Sequence, residues 1–311
     1  MSSRNHHWWP VKLQEKYWAD QTGNVSWVEP DGKMQKKKAK NRKISFKIHG
    51  HTLGKGGPWE TNFETEFSID NDIHEILVYL SSLKPFGYRF AELMALVRNR
   101  LSGRVSLRNT CKFYQMNSRL HRKALLFILS LVIRSPSIRS KYERYPEMIG
   151  LPPNEDVGKV NMVEDYRIAK RLCQEASISN QYFTLLHSPP GNFIFGDGCL
   201  DWITSGFSAN RIRGRLLIAL TPHLCIYFST PISMRSQSNC ASLIAPPWMV
   251  ERVNEITQIY SGEKLFFRGK RPKLTEAFRR RLFLEHSSRT DWLIDELDEI
   301  VGTDERPFRH K

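Results

Sequence analysis

Leu120–Arg134, which reads LHRKALLFILSLVIR, is the most apolar segment of the chain and the one that most constrains its fold. The core of this segment, Ala124–Ile133, is far shorter than the roughly 18–20 apolar residues that a membrane-spanning helix requires. We therefore predict a helix buried inside a protein core. Ser135 and Pro136 predict its end, because the residue before a proline disfavours helical backbone.

Helical periodicity continues on both sides of this segment. Within Phe63–Leu83, apolar residues recur at Ile73, Ile76, Leu77 and Leu80, the i, i+3, i+4, i+7 spacing of one helix face. Asp70 and Asp72 favour the start of that helix, because carboxylates stabilise a helix N-terminus. Further helices are predicted over Tyr88–Leu101 and Met162–Glu175.

Strand-like segments lie towards both ends of the chain. The expected strands are Val25–Glu29, Ile44–His49, Tyr182–Leu186, Asn192–Phe195, Leu216–Leu220, Leu224–Ser229 and Lys264–Arg268. The expected C-terminal helices are Pro247–Tyr260, Leu274–Leu284 and Asp291–Val301. This order predicts an α+β fold, in which a central helical region is flanked by short antiparallel strands from the N- and C-terminal parts.

The same order divides the chain into four regions, which we interpret as parts of one compact unit. Residues 1–60 form strands and turns with a basic stretch, and residues 61–178 are mainly helical. Residues 179–301 are strand-rich with C-terminal helices, and residues 302–311 are expected to be a frayed tail. Ser188–Gly191, with two prolines, predicts a hairpin-type break between two strands.

Composition places the chain among ordinary globular proteins. Its 311 residues are 40% hydrophobic, which excludes wholesale disorder and collagen-like, mucin-like or coiled-coil architectures. The five cysteines are widely spaced and form no C-x-x-C pair, so reduced, buried thiols in a cytoplasmic protein are expected. The first ten residues contain no apolar run typical of a signal peptide, and no membrane association is expected.

The net charge of +15 is concentrated in two blocks of the sequence. One lies within Lys33–Lys47. The other, residues 97–144, holds 12 basic residues and one acidic residue. Cations without acidic neighbours must face water, the acidic segments elsewhere in the chain, or an external anion. The candidate nucleic-acid-binding residues are Lys36, Lys37, Lys38, Arg98, Arg100, Arg104, Arg108, Lys112 and Arg139.

Several short residue groups resemble the bacterial family catalogued as domain of unknown function 4238. The family's opening pattern is present as His7-Trp8-Trp9-Pro10, followed by Tyr17-Trp18-Ala19-Asp20 and Gly23. Its Arg-Ser/Thr-Pro motif is present as Arg134-Ser135-Pro136, and Asn254 matches its C-terminal pattern. Of its Ser-Asp-Asn-Pro motif only the aspartate is present, at Asp197. The resemblance implies a prokaryotic intracellular protein of unassigned activity.

No motif with a strong catalytic mechanism is present in the sequence: it contains no GxGxxG, Walker A, GxSxG or HExxH pattern. His7 is a candidate base or metal ligand, or alternatively a packed histidine. Asp197 is a candidate metal ligand or base, or a turn residue. Arg134 is a candidate anion-binding arginine, or the cation that closes a helix.

Acidic residues near the start of the predicted second helix form another candidate. Glu64, Glu66, Asp70 and Asp72 could hold a divalent metal ion, or be solvated helix-terminus acids. Gly54–Gly57 could bind phosphate through backbone N–H groups, or be a flexible loop.

Three functional hypotheses follow from these patterns. The first is a protein that binds nucleic acid through its basic surface. The second is a phosphodiester-directed hydrolase or nuclease that uses His7, Asp197 and Arg134, with a divalent metal ion as a possible cofactor. The third is an interaction module that binds an acidic protein partner. The hydrolase hypothesis requires its three side chains to converge in one cleft, since proton-transfer partners must reach one substrate.

Overall fold

The computed structural model describes residues 5–41, 44–48, 50–54, 60–63, 66–87, 94, 107–175, 181–203, 207, 211–230, 238–288 and 290–300. Its centre is the predicted buried helix, α3 (Ser118–Ile133), which begins where the Asn117 side chain accepts hydrogen bonds from the N–H groups of Arg119 and Leu120. The prediction of a buried helix is confirmed. The chain turns sharply after α3, because Ser135 already caps the next helix, α4 (Pro136–Glu143).

Three other helices accompany α3. They are α1 (Val11–Leu13), which continues as a π-helical turn, α2 (Ile73–Ser82) and α5 (Glu155–Gln174). The helix expected from Phe63 begins only at Ile73, after a 3₁₀ turn at Ser68–Asp72. The helix expected from Met162 begins earlier, because Asn154 caps the N–H groups of Asp156 and Val157. The helix expected over Tyr88–Leu101 falls outside the described residues, apart from Met94.

A six-stranded sheet packs beside these helices in the order β10-β11-β12-β8-β13-β7. Its strands are β7 (Lys112–Tyr114), β8 (Tyr182–His187), β10 (Leu200–Asp201), β11 (Arg215–Thr221), β12 (Leu224–Ser229) and β13 (Cys240–Ile244). The expected strands at Leu216–Leu220 and Leu224–Ser229 are confirmed as β11 and β12, which pair antiparallel. The pairing of β8 with β13 is parallel, whereas the other pairs are antiparallel. Nearly all residues of β8, β11 and β12 are buried, so both faces of the sheet are covered.

A second sheet joins the two ends of the chain in the order β3-β2-β14-β9. Its strands are β2 (Asn24–Val28), β3 (Met34–Lys38), β9 (Phe195–Gly196) and β14 (Leu265–Phe267). The hairpin-type break at Ser188–Gly191 is wrong as a pairing prediction, because β8 and β9 belong to different sheets. The basic stretch expected to be solvated contains strand β3, which pairs with β2 while Lys36, Lys37 and Lys38 stay exposed.

The remaining elements are short. Two-stranded ladders join β1 (Asn5–His7) to β4 (Phe46–Ile48) and β5 (Thr52–Leu53) to β6 (Thr61–Asn62). The C-terminal helices are α6 (Pro247–Ile259), α7 (Glu276–Arg279) and α8 (Trp292–Asp298). The helix expected over Leu274–Leu284 is reduced to the single turn α7, since Arg281 adopts a left-handed backbone with φ of 57°.

One large apolar core draws buried residues from Trp8 to Ile300, and the α+β class is confirmed. A small second cluster covers the outer face of the β2–β14 pair and consists of Val28, Ile194, Leu265, Phe267 and Phe278. All five cysteines are buried and form no disulfide. Among the described residues, no helix is long and apolar enough to cross a membrane.

Candidate functional site

A long groove of about 1520 Å³ lies at the surface beside the small second cluster. Helix α6 forms one wall, and the segments 188–194 and 267–275 form the others. The lining is mostly apolar and includes Phe193, Ile194 and Phe267, with prolines from all three walls. Pockets for small molecules usually measure about 300–1,000 Å³, so the size of this groove suits an extended ligand better.

Two side chains of α6 bind the other two walls of the groove and fix their distance from this helix. The Asn254 amide donates to the Asn192 carbonyl at 2.9 Å and accepts from the Ile194 N–H at 3.0 Å. One helical turn later, the Gln258 amide donates to the Lys273 carbonyl at 3.1 Å and accepts from the Thr275 N–H. Because residues four apart lie on the same helix face, one edge of α6 holds both loops.

The 188–194 wall is held against the β11–β12 turn. The Ser188 N–H donates to the His223 carbonyl at 2.9 Å, and the His223 ring lies against Gly191. A Cβ at Gly191 would come within 2.4 Å of that ring, and its φ of +72° also favours glycine. This contact leaves Pro189 and Pro190 exposed on the groove wall.

The third wall overlaps the first half of a strongly cationic stretch, residues 268–281. This stretch contains seven basic residues and one carboxylate, Glu276. We call it the cationic segment. Its basic residues Arg268, Lys270, Arg271 and Lys273 line the groove and are exposed. Within the part of the chain that the structure describes, these four make no ion pair; in the segment only Arg281 does, with Asp31 at 3.2 Å.

Two lysines of β3 lie on the same face of the four-stranded sheet as the groove. Lys36 pairs in register with Ser26, which pairs with Phe267 of the groove floor. Lys38 is two residues from Lys36 and therefore shares this face. The Arg271 guanidinium approaches the β2–β3 turn at Gly32, so the cationic segment and β3 border the same surface. Lys36 also binds Asp20 at 2.6 Å, which holds the pKa of that carboxyl well below its usual range.

The groove contains two carboxylates on α6. Glu255 binds Arg252 at 2.7 Å, whereas Glu251 is exposed and makes no ion pair with another described residue. Trp248, near the start of α6, lines the groove and is 39% exposed. The site therefore combines an apolar floor, an exposed aromatic ring, one free carboxylate and a rim of cations.

Asp197 lies outside the groove and is fully buried. Its carboxylate accepts the N–H groups of Gly262 at 3.0 Å and Glu263 at 2.8 Å. Burial raises the pKa of this carboxyl to about 7, although the two N–H bonds oppose the rise. A Cβ at Gly198 would clash with the Tyr260 carbonyl, so the glycine lets this loop pack under the turn that leads into β14. Asp197 thus anchors the turn before the cationic segment.

Arg134 is also buried and makes a bidentate ion pair with Asp70, at 2.9 and 2.7 Å. Its guanidinium stacks over the Phe67 ring at 4.7 Å. His7 lies on β1 with its ring against Phe46. Asp197 and Arg134 are each buried in contacts of their own, Asp197 with two backbone N–H groups and Arg134 with Asp70, and the hydrolase hypothesis stays a prediction.

The predicted nucleic-acid-binding residues have different environments. Arg139 is buried and donates to the Gly50 carbonyl at 3.0 Å, so it belongs to the interior and not to a surface. Lys37 lies over the Trp27 ring, Lys112 is exposed on β7, and Arg108 is partly buried. Arg98, Arg100 and Arg104 lie outside the described residues, as do Gly56 and Gly57 of the candidate phosphate loop.

The acidic candidates bind basic residues. Asp72 binds Lys123 at 3.0 Å, and Glu66 binds Arg167 at 2.7 Å, while Glu64 lies outside the described residues. In the part of the chain that the structure describes, no group of three or more His, Cys, Asp or Glu side chains could hold a metal ion. The described residues therefore offer no cluster of this kind for the expected divalent metal ion.

The predicted nucleic-acid-binding residues do not include any residue of the cationic segment. Its signal was present, because Phe266 and Phe267 precede Arg268 and three arginines follow at 279–281. The whole of 211–311 has a net charge of only +5, with 17 basic and 12 acidic residues, because eight of those acids follow Arg281. The aromatic residues at the two ends of the chain pack on one another instead of facing solvent, as in the contact of Trp9 with Phe266 at 4.4 Å.

Comparison of this chain with family models, curated proteins and solved structures finds no match. The resemblance to the domain-of-unknown-function family therefore stays a prediction.

Proposed function

We propose that this protein binds nucleic acid through the cationic segment and the neighbouring lysines of β3. The observation that supports this is the row of exposed cations on one wall of the groove, Arg268, Lys270, Arg271 and Lys273, none paired with a described carboxylate. Unpaired cations retain their full attraction for phosphate, and each phosphate contact releases a condensed counterion.

The groove supplies what a bare cationic surface lacks. Its apolar floor, between walls that hydrogen bonds tether to α6, gives a ligand a defined path beside the cations. Arg268 directly follows Phe267 of the floor, so a phosphate bound by Arg268 lies beside the apolar part of the groove. A small anion would use only a fraction of this surface, whereas a polyanion uses all of it.

The test is fluorescence anisotropy with labelled DNA and RNA oligonucleotides over a range of salt concentrations. Affinity is expected to fall linearly with the logarithm of salt, by a slope of roughly 0.7–0.9 for each phosphate contact. The double variant Arg268→Gln/Lys270→Gln is expected to weaken binding and reduce this slope by about one to two.

The matched control is Arg119→Gln/Lys170→Gln, which removes the same charge from exposed residues of α3 and α5. This control is expected to leave the slope unchanged. Absence of binding at low salt, or equal effects of the two double variants, would overturn the proposal. Binding of polyglutamate as tightly as nucleic acid would do the same and would assign the surface to an acidic protein partner.

A further inference from the structure

Trp248 and Trp292 form an exposed aromatic pair at the groove. Trp248 is 39% exposed and Trp292 is 49% exposed, whereas the other tryptophans that the structure describes are at most 8% exposed. The two rings lie 5.4 Å apart between centroids, at an angle of 38°. Each stands near the start of its helix, α6 or α8, and only Trp248 lines the groove.

An exposed tryptophan costs hydration free energy, and a second ring behind it fixes its orientation. The N-terminus of α8 holds that second ring in place, since the Asp291 side chain accepts the Leu293 N–H at 2.9 Å and binds Arg252 of α6 at 2.6 Å. The Trp248 ring is therefore a supported flat surface in the groove wall, a few residues from Glu251 and across the groove from the cations.

We infer that the ligand is single-stranded nucleic acid and that one of its bases stacks on Trp248. This inference rests on the proposed function. Base–aromatic stacking requires an unstacked base, and a duplex hides both faces of its bases inside the helix. The mostly apolar groove beside the cationic rim offers bases and phosphates separate surfaces, as proteins that bind single strands do. A duplex could use only the rim.

The experiment compares a 12-nucleotide single strand, as DNA and as RNA, with the DNA duplex of the same sequence. Trp248→Ala is expected to weaken single-strand binding by about 5- to 100-fold and duplex binding by less than about twofold. Trp248→Phe keeps an aromatic face and is expected to retain most of the affinity. Binding of the single strand should quench tryptophan fluorescence in the wild type and quench it less in Trp248→Phe.

Tyr145→Ala is the matched control, because Tyr145 is also 39% exposed but does not line the groove. Trp292→Ala should weaken single-strand binding less than Trp248→Ala, and both variants are checked by thermal unfolding. The inference is overturned if the duplex binds as tightly as the single strand, or if Trp248→Ala affects both ligands equally. In those cases salt-dependent binding through the cationic segment would still stand, whereas absence of all binding would defeat both proposals.

Discussion

Two basic regions of this protein have opposite environments. The block 97–144 contains most of its described cations in ion pairs: Arg119 with Glu75, Lys123 with Asp72 and Glu75, Arg134 with Asp70, Lys141 with Glu285 and Arg144 with Glu147. The cationic segment 268–281 has one such pair among its described residues, between Arg281 and Asp31. The block 97–144 has the larger net charge, +11 against +6, yet more of its described cations are paired, so net charge along the sequence does not measure the charge that is available to a ligand.

The difference follows from how each region is built. Helix α3 buries its apolar face, so its cations emerge at the margin of the core, where the 3₁₀ turn and α2 bring Asp70, Asp72 and Glu75. The cationic segment follows the short strand β14 and has a single helical turn, so few neighbouring elements can supply acids. Its order comes from backbone anchors such as Gln258 instead of ion pairs.

The largest effect is expected from Arg134→Ala. Removing this buried arginine leaves the partly exposed Asp70 without its cation and takes away the contact with Phe67, at a cost of about 3 kcal/mol in the free energy of unfolding. Urea unfolding measures it. Arg119→Ala, which breaks an exposed pair in the same block, should cost less than about 1 kcal/mol. Equal costs for the two variants would show that burial of the arginine does not decide how much each ion pair contributes to stability.

A comparable effect is expected at Asp197, which anchors the turn before the cationic segment. Asp197→Ala leaves the N–H groups of Gly262 and Glu263 buried without an acceptor, at a cost of about 2–4 kcal/mol. Because the folded pKa is about 7 against an ordinary 3.8, the folded state holds the proton more tightly between these values. The contribution of this carboxyl to stability should therefore fall as pH rises from about 4 to 7.

Asp197→Asn serves as the control for that pH dependence. It keeps one acceptor and carries no charge, so its free energy of unfolding should match the wild type near pH 4 and lack this group's decline towards pH 7. Urea unfolding at several pH values measures both. An unchanged pH dependence in Asp197→Asn would mean that the carboxyl does not titrate in this range.

The smallest effect is expected from Glu251→Gln, which removes the unpaired carboxylate of the groove. A partly solvated like charge repels phosphate by roughly 0.5 kcal/mol, so affinity for oligonucleotides should rise about twofold. Glu15→Gln removes an exposed carboxylate outside the groove and should leave affinity unchanged. The rise should diminish at high salt, since exposed charges are screened.

Local patterns of the sequence predicted the elements that depend on neighbouring residues. The burial of α3 follows from its apolar run, and the strands β11 and β12 follow from the apolar segments on either side of Thr221–His223. Pairings between distant segments carried no such signal, as in the parallel register of Phe183 with Cys240. The pairing of β9 with β14, instead of with β8, likewise depends on packing that a single sequence does not show.

The candidate site divides in the same way. The sequence shows Phe266 and Phe267 directly before several basic residues. It does not show that Asn254 and Gln258 shape the groove, because they do so through contacts with loops up to 62 residues away. The acid partners of the 97–144 block are equally distant, for Asp70 lies 64 residues before Arg134. No pattern within that block could show that five of its nine described cations are already paired with acids.

The position of strand β3 at the edge of its sheet bears on aggregation, whether or not a ligand binds. This strand is the outer strand of its sheet as described, so one side of its backbone has no strand partner there. Such an edge is a template for a strand from another molecule, and aggregation follows where nothing prevents it. Lys36, Lys37 and Lys38 are exposed on that strand; Lys36 is paired with Asp20, and the charges of Lys37 and Lys38 would repel those of a second copy brought edge to edge. The same lysines thus protect the folded chain from extending its sheet into a neighbour.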